Sequence, residues 1–375
     1  MAETAFFWLV LLNVLINFIH GVLLPVIPHL NLASAGLAFT AFSLFKVLSL
    51  APAGMLGDRI GHWRCLTLAL LFQLSGLAIM YFYPLATWEA RILEGLALAQ
   101  GTVSTISLCR LFSPQQAKFS KMISILIGFG GLGFIAGPIL GYGLLARGND
   151  FVLGFLMACC VGFLVLQLAS HYFYPAAILV DSNIKVAFSK SKNQEAKTTT
   201  MIGLSAAKAV GVGWLPNMAW WATNDVHLTP FLSGISFVLL GAGFAVGALK
   251  PVKAILPLGL VGLLSLEISL HFGSAWWWPA LAILGFWYGS CVSLAMAHLG
   301  WNKKENIGQY NSKWMILTDL PMALTPVLLW SMKEPEFQFA RVLLGVFIVL
   351  VAIGGLWRGV PRQFQKYHLA EMENR

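Results

Sequence analysis

Arg91 and Glu94 stand three residues apart in an apolar stretch, so on a helix they share one face and can pair directly. A charge at the centre of a membrane span costs about 2.5 to 3.5 kcal/mol on insertion scales, so each such residue needs a reason to be there. Two readings stay open: a structural ion pair, or a working pair in which Glu94 takes up a proton and Arg91 responds. Lys46, Lys208 and Asp319 are likewise embedded in apolar runs. The two lysines are about seven or more residues from the nearest span end, roughly 10 Å at helical rise, which makes snorkelling difficult. Lys208 is read as a substrate-facing cation, and Lys46 either faces substrate or pairs with Asp319. Asp319, followed by Pro321, is either a proton carrier or the partner of a helix break. Asn13, Asn17 and His20 recur at i, i+4 and i+7 on one helical face. That face is a wet wall that binds substrate or plain interhelical polarity; His20 adds a group that titrates near neutral pH.

The elements that hold these residues are set by composition. Of 375 residues, 58% are hydrophobic and 10% charged, where a soluble domain carries about 25% charged residues. A soluble enzyme is excluded, and at roughly 20 residues per span the length suits about ten to twelve spans. The formal charge of +9 does not signal nucleic acid, because the basic residues fall in short loops between apolar runs. Cys65, Cys109, Cys159, Cys160 and Cys291 have no metal or disulfide spacing and read as packing residues. No nucleophile motif or His/Asp cluster of a membrane-embedded enzyme is found, and no cofactor or metal is expected. The N-terminal apolar run from about Ala5 to Val26 reads as a retained first span.

Breaks at charge, Pro and Gly place twelve helices at roughly 5–28, 34–56, 64–83, 86–110, 119–146, 150–173, 199–221, 229–249, 254–272, 275–299, 310–332 and 337–357. The fold class is therefore an all-α integral membrane protein of twelve transmembrane helices. Its expected divisions are a first six-helix bundle over 1–174, a basic linker over 175–198, a second bundle over 199–357 and a tail over 358–375. Arg59, Arg64, Arg110, Lys118, Lys121, the linker lysines, Lys250, Lys253, Lys303, Lys304, Lys313 and the tail all fall on one side. Only Arg147, Lys333 and Arg341 fall opposite, so both termini are expected in the cytoplasm. Trp276, Trp277 and Trp278 read as an interfacial belt, and Glu267 as peripheral.

Between spans two and three stands Gly54-Met-Leu-Gly57-Asp58-Arg59-Ile-Gly61-His62-Trp-Arg64. It reads as a tight turn in which Asp58 pairs with basic groups or faces a neighbouring helix N-terminus. At this place in a twelve-span chain it resembles the signature loop of the major facilitator superfamily, with His62 where the family usually has a basic residue. Arg91-Ile-Leu-Glu94-Gly95-Leu-Ala-Leu-Ala99 on span four is similar to that family's pattern, with Glu94 in place of Gln. Gly133-Phe-Ile-Ala-Gly137-Pro138-Ile-Leu-Gly141-Tyr142 on span five resembles its antiporter motif, with Tyr142 in place of the last Gly.

The resemblance implies two six-helix halves around a central cavity lined by spans one, four, seven and ten, and conformational gating by the first loop and the fifth span. It brings Gln100, Trp214, Asn217, Trp287 and Tyr288 into consideration as lining residues, of which Asn217, Trp287 and Tyr288 are candidate substrate contacts. Lys46, Arg91 and Lys208 against Glu94 and Asp319 leave the buried charge positive, which favours an anion. The expectation is a monomeric, proton-coupled exporter of a carboxylate-bearing solute or siderophore in a bacterial inner membrane. An importer of an organic anion or metal-siderophore, a lipid-head-group flippase and a multidrug exporter are the alternatives.

Overall fold

The computed structural model describes residues 2–30, 35–113, 115–173, 194–211, 221, 226–272, 276–301, 306–331 and 338–360. Residues 175–193 of the expected linker and almost all of the tail therefore lie outside the described residues, as do Trp214 and Asn217, while 194–198 are helical. Twelve α-helices follow in order: α1 (Ala2–Leu30), α2 (Ala35–Ile60), α3 (His62–Phe82), α4 (Thr87–Phe112), α5 (Gln116–Leu145), α6 (Asn149–Phe173), α7 (Gln194–Gly211), α8 (Pro230–Leu249), α9 (Leu258–Phe272), α10 (Trp277–Leu299), α11 (Ile307–Ser331) and α12 (Gln338–Gly359). Among the described residues nine helices are long and apolar enough to cross a membrane. In lipid a backbone must satisfy its own polar groups, which an α-helix does within one segment. The three below that measure are α7, α8 and α11; α7 opens on the polar run 194–200 and α11 carries the polar run 309–313.

Contacts gather the chain into two compact units, Met1–Pro114 with Ala136–Ser189 and Gly300–Ile316, and Gln115–Ile135 with Lys190–Leu299 and Leu317–Arg375. Each unit thus contains the first part of a helix, α11 or α5, whose second part belongs to the other.

In the first unit a Cβ on Gly95 of α4 would meet the Phe42 carbonyl oxygen of α2 at 2.6 Å, so the two backbones touch there. The second half of α5 packs on α1 in the same way, with Gly137 against Gly21 and Gly141 against Pro25. Gly133, Gly137 and Gly141 are buried, and Pro138 sits inside the helix. Polar struts tie α1, α3 and α6: Trp8 Nε1 donates to Gln167 Oε1 at 2.5 Å, and Trp63 Nε1 to Ser170 Oγ at 3.1 Å.

In the second unit Gly243 and Gly247 of α8 face the backbone of α10, and Gly285 and Gly289 of α10 face that of α8. The first half of α5 lies on α8, with Gly128 against Leu249 and Gly131 against the ring of Phe244. Ser124 on α5 and Ser293 on α10 are hydrogen-bonded at 2.7 Å. Lys253 donates to the carbonyls of Val360 and Trp357 at the end of α12, where a cation suits the helix dipole.

Several expectations change. The turn after α2 is much tighter than a Gly54–Arg64 loop: α2 runs to Ile60, α3 starts at His62, and Gly61 reverses the chain alone with φ 95°. That angle is unstrained only without a Cβ. α11 continues through Asp319 and Pro321 to Ser331, so Asp319 partners no helix break. Trp277 is fully buried and donates to Ser236 Oγ at 2.8 Å, so of the belt residues Trp276 alone is strongly exposed. Arg341, inside the expected twelfth span, is buried in α12 and forms two hydrogen bonds to Glu267 of α9, at 3.1 and 3.3 Å, with its guanidinium over Trp221. Pairing explains how both charges tolerate burial.

Candidate functional site

In the first unit α4 presents Arg91 and Glu94 side by side, and the two form a buried ion pair. The i, i+3 spacing places them there, and packing supplies the rest. The Arg91 guanidinium lies 4.0 Å from the centre of the Phe42 ring, a cation–π contact, and His20 of α1 stands 4.8 Å from the same ring. The Gln73 amide of α3 faces Glu94. His20 is 7% exposed and neither ring nitrogen has a hydrogen bond. Asn17 Nδ2 donates to the Asn13 carbonyl at 2.7 Å and to its Oδ1 at 3.2 Å, so these two amides satisfy each other in part. Lys46 is half-buried one turn from Phe42 on α2. Gln100 is spent on structure, donating to Ala53 O and Ser104 Oγ.

In the second unit Lys208 lies in the last described turn of α7 and pairs with Asp319 of α11. Its Nζ also donates to Thr318 Oγ1 at 3.1 Å, and all three residues are buried. Asp319 therefore answers Lys208. The two candidates on α10 diverge. Trp287 is fully buried with its ring against Gly259 of α9, a packing position, whereas Tyr288 lays its ring on Gly211 of α7 within electrostatic range of Asp319. A helix turns about 100° per residue, so adjacent side chains cannot both face α7.

The last turns of α2 and the start of α3 build a third feature in the first unit. Both oxygens of Asp58 accept backbone N–H groups at the start of α11, Gly308 to Oδ1 and Gln309 to Oδ2, each at 2.9 Å. A carboxylate there satisfies orphan donors and the positive end of the helix dipole. His62 Nε2 is 3.3 Å from Asp58 Oδ1, its ring packed over Gly57. Gly54 and Gly308 allow the two backbones to touch. Arg59 and Arg64 are exposed.

Residues 6–326, most of the chain, match the Major Facilitator Superfamily. The chain belongs to this superfamily. As a superfamily member it is an integral membrane protein of a transporter family, not of an enzyme family. It is 27% identical over 234 residues, 62% of its length, to the tetracenomycin C resistance and export protein of Streptomyces glaucescens, and the match spans 41% of that curated relative. Among solved structures it is similar to the human organic anion transporter MFSD10 (TETRAN), at TM-score 0.78 and 15% identity, over 95% of this chain and 99% of that one. A bacterial homologue of the iron transporter ferroportin gives TM-score 0.71 at 12% identity, over 95% of this chain and 99% of that one. At such identities these two likenesses show the fold alone.

Within this superfamily member the residues that sequence reasoning missed are Phe42, Gln73, Thr318, Phe244 and the Glu267–Arg341 pair. One signal for Phe42 and Phe244 was present in the chain. Gly95 rests on the Phe42 carbonyl and Gly289 on the Phe244 carbonyl, so the two units repeat one α-helix crossing. The residue before each glycine is Glu94 in one and Tyr288 in the other.

Proposed function

We propose that the protein is a secondary transporter that moves a small carboxylate-bearing anion across a bacterial plasma membrane, as a monomer with both termini in the cytoplasm. The observation that carries this is the buried Lys208–Asp319 pair with Thr318. A lysine held this way is an anion receptor closed by its own carboxylate. When a substrate carboxylate takes the place of Asp319, Lys208 keeps a charge-assisted partner and Thr318 still holds the amine. Glu94 in the first unit and Asp319 in the second are the proton-exchanging carboxylates, and His20 and Lys46 are polar groups of the first unit.

Export in exchange for protons is the direction supported by the export relative and by the Gly-Pro pattern on α5. In this cycle a proton taken up on Glu94 is exchanged for the solute bound at Lys208. A second reading, symport, is favoured by the pair itself, because protonation of Asp319 is what frees Lys208 for an anion. Purified protein in vesicles with an imposed pH gradient separates them. Acid inside stimulates anion uptake for antiport, acid outside stimulates it for symport, and no response to either gradient removes proton coupling.

A further inference from the structure

Beside Lys208 the second unit carries two aromatic rings that the charge chemistry does not use. Gly211 follows Lys208 by one helical turn, so both occupy the same face of α7. A methyl group at Gly211 would fall inside the ring of Tyr288, so this position holds the phenol flat against the helix. Phe244 of α8 stands beside it, ring centres 5.2 Å apart at 39°. The pair is set by the glycine crossing of α8 and α10, where Gly289 rests on the Phe244 carbonyl. Both rings are half-buried, whereas Lys208, Thr318 and Asp319 are buried. Tyr288 occupies the position that Glu94 holds in the first unit, directly before the crossing glycine. Where the first unit puts a carboxylate, the second puts an aromatic face.

Resting on the reading that Lys208 receives the anion, we propose that the substrate is an aromatic anion, whose carboxylate replaces Asp319 on Lys208 while its ring stacks on Tyr288 and Phe244. Offset stacking needs a flat partner with a π-face, and a saturated ring of equal area does not provide one. The specificity residues are Tyr288 and Phe244, and Gly211 is the seat that positions Tyr288. An aliphatic carboxylate satisfies Lys208 and adds no stacking contact to the rings.

The test is equilibrium binding of 2-naphthoate and of its saturated counterpart, decahydronaphthalene-2-carboxylate, to the purified full chain. Their charge is the same and their size nearly so. The expected result is roughly tenfold tighter binding of 2-naphthoate, the scale of one or two aromatic contacts. Tyr288→Leu should bring the two ligands within about twofold of each other by weakening 2-naphthoate alone. Tyr288→Phe, which keeps a ring on Gly211, should retain the preference. Equal binding of the two ligands by the unaltered protein, or an undiminished preference in Tyr288→Leu, overturns the aromatic assignment. Lys208→Gln tests the underlying reading separately: it should weaken both ligands together, and unchanged affinity for both removes Lys208 as the receptor.

Discussion

Asp58 of α2 accepts the backbone N–H of Gly308 at 2.9 Å, joining two residues 250 positions apart at the start of α11. Asp58→Asn keeps an acceptor and loses the charge that complements the helix end. The expected cost is about 1 to 2 kcal/mol, read as a lower thermal midpoint of the purified protein. An unaltered midpoint would mean that the hydrogen bond forms without strengthening the fold.

Glycines in the helix crossings should respond according to what they touch. Gly95→Ala and Gly289→Ala push a methyl group into the Phe42 and Phe244 carbonyls and should cost about 1 to 3 kcal/mol. Gly143→Ala and Gly162→Ala meet nothing within 4 Å, and at such open sites changes stay within about 0.5 kcal/mol. Denaturation of the four variants side by side gives the ranking.

Arg341 and Glu267 test whether burial or pairing governs the start of α12. Arg341→Leu strands the Glu267 carboxylate and should cost about 3 kcal/mol, and adding Glu267→Leu should recover most of it. A double variant as unstable as the single would assign the loss to the packing of Arg341 over Trp221 instead.

Asp319→Asn removes both the carboxylate that competes for Lys208 and one of the two carboxylates proposed to exchange protons, and the symport reading, in which Asp319 is the coupling group, fixes the outcome. The expected protein still binds and exchanges anion, more tightly and with little dependence on pH, and no longer accumulates it against a gradient. Counterflow and gradient-driven uptake in the same vesicles distinguish the two activities. Retained uphill transport would move proton coupling to Glu94 and His20.

The Arg91–Glu94 pair was legible because its spacing is local: three residues on any helix bring two side chains to one face. The tendency of Asp58 to face a helix N-terminus was legible as chemistry, but which helix it would face was not. Asp319 reads in the sequence as a proton carrier, a partner of Lys46 or the partner of a helix break, and its carboxylate meets Lys208, 111 residues away. Trp287 and Tyr288 looked alike in the sequence, and one lies on Gly259 while the other lies on Gly211. The Glu267–Arg341 pair was missed because its members come from separate helices with no shared periodicity.

By itself the sequence determined the helices and the residues available to do chemistry, because hydrophobic length and helical period act within one segment. Only the tertiary structure decided which charge answers which and which ring stands beside Lys208. Those choices depend on where helices cross, and the crossings depend on small residues such as Gly95, Gly211 and Gly289 meeting groups far away in the chain.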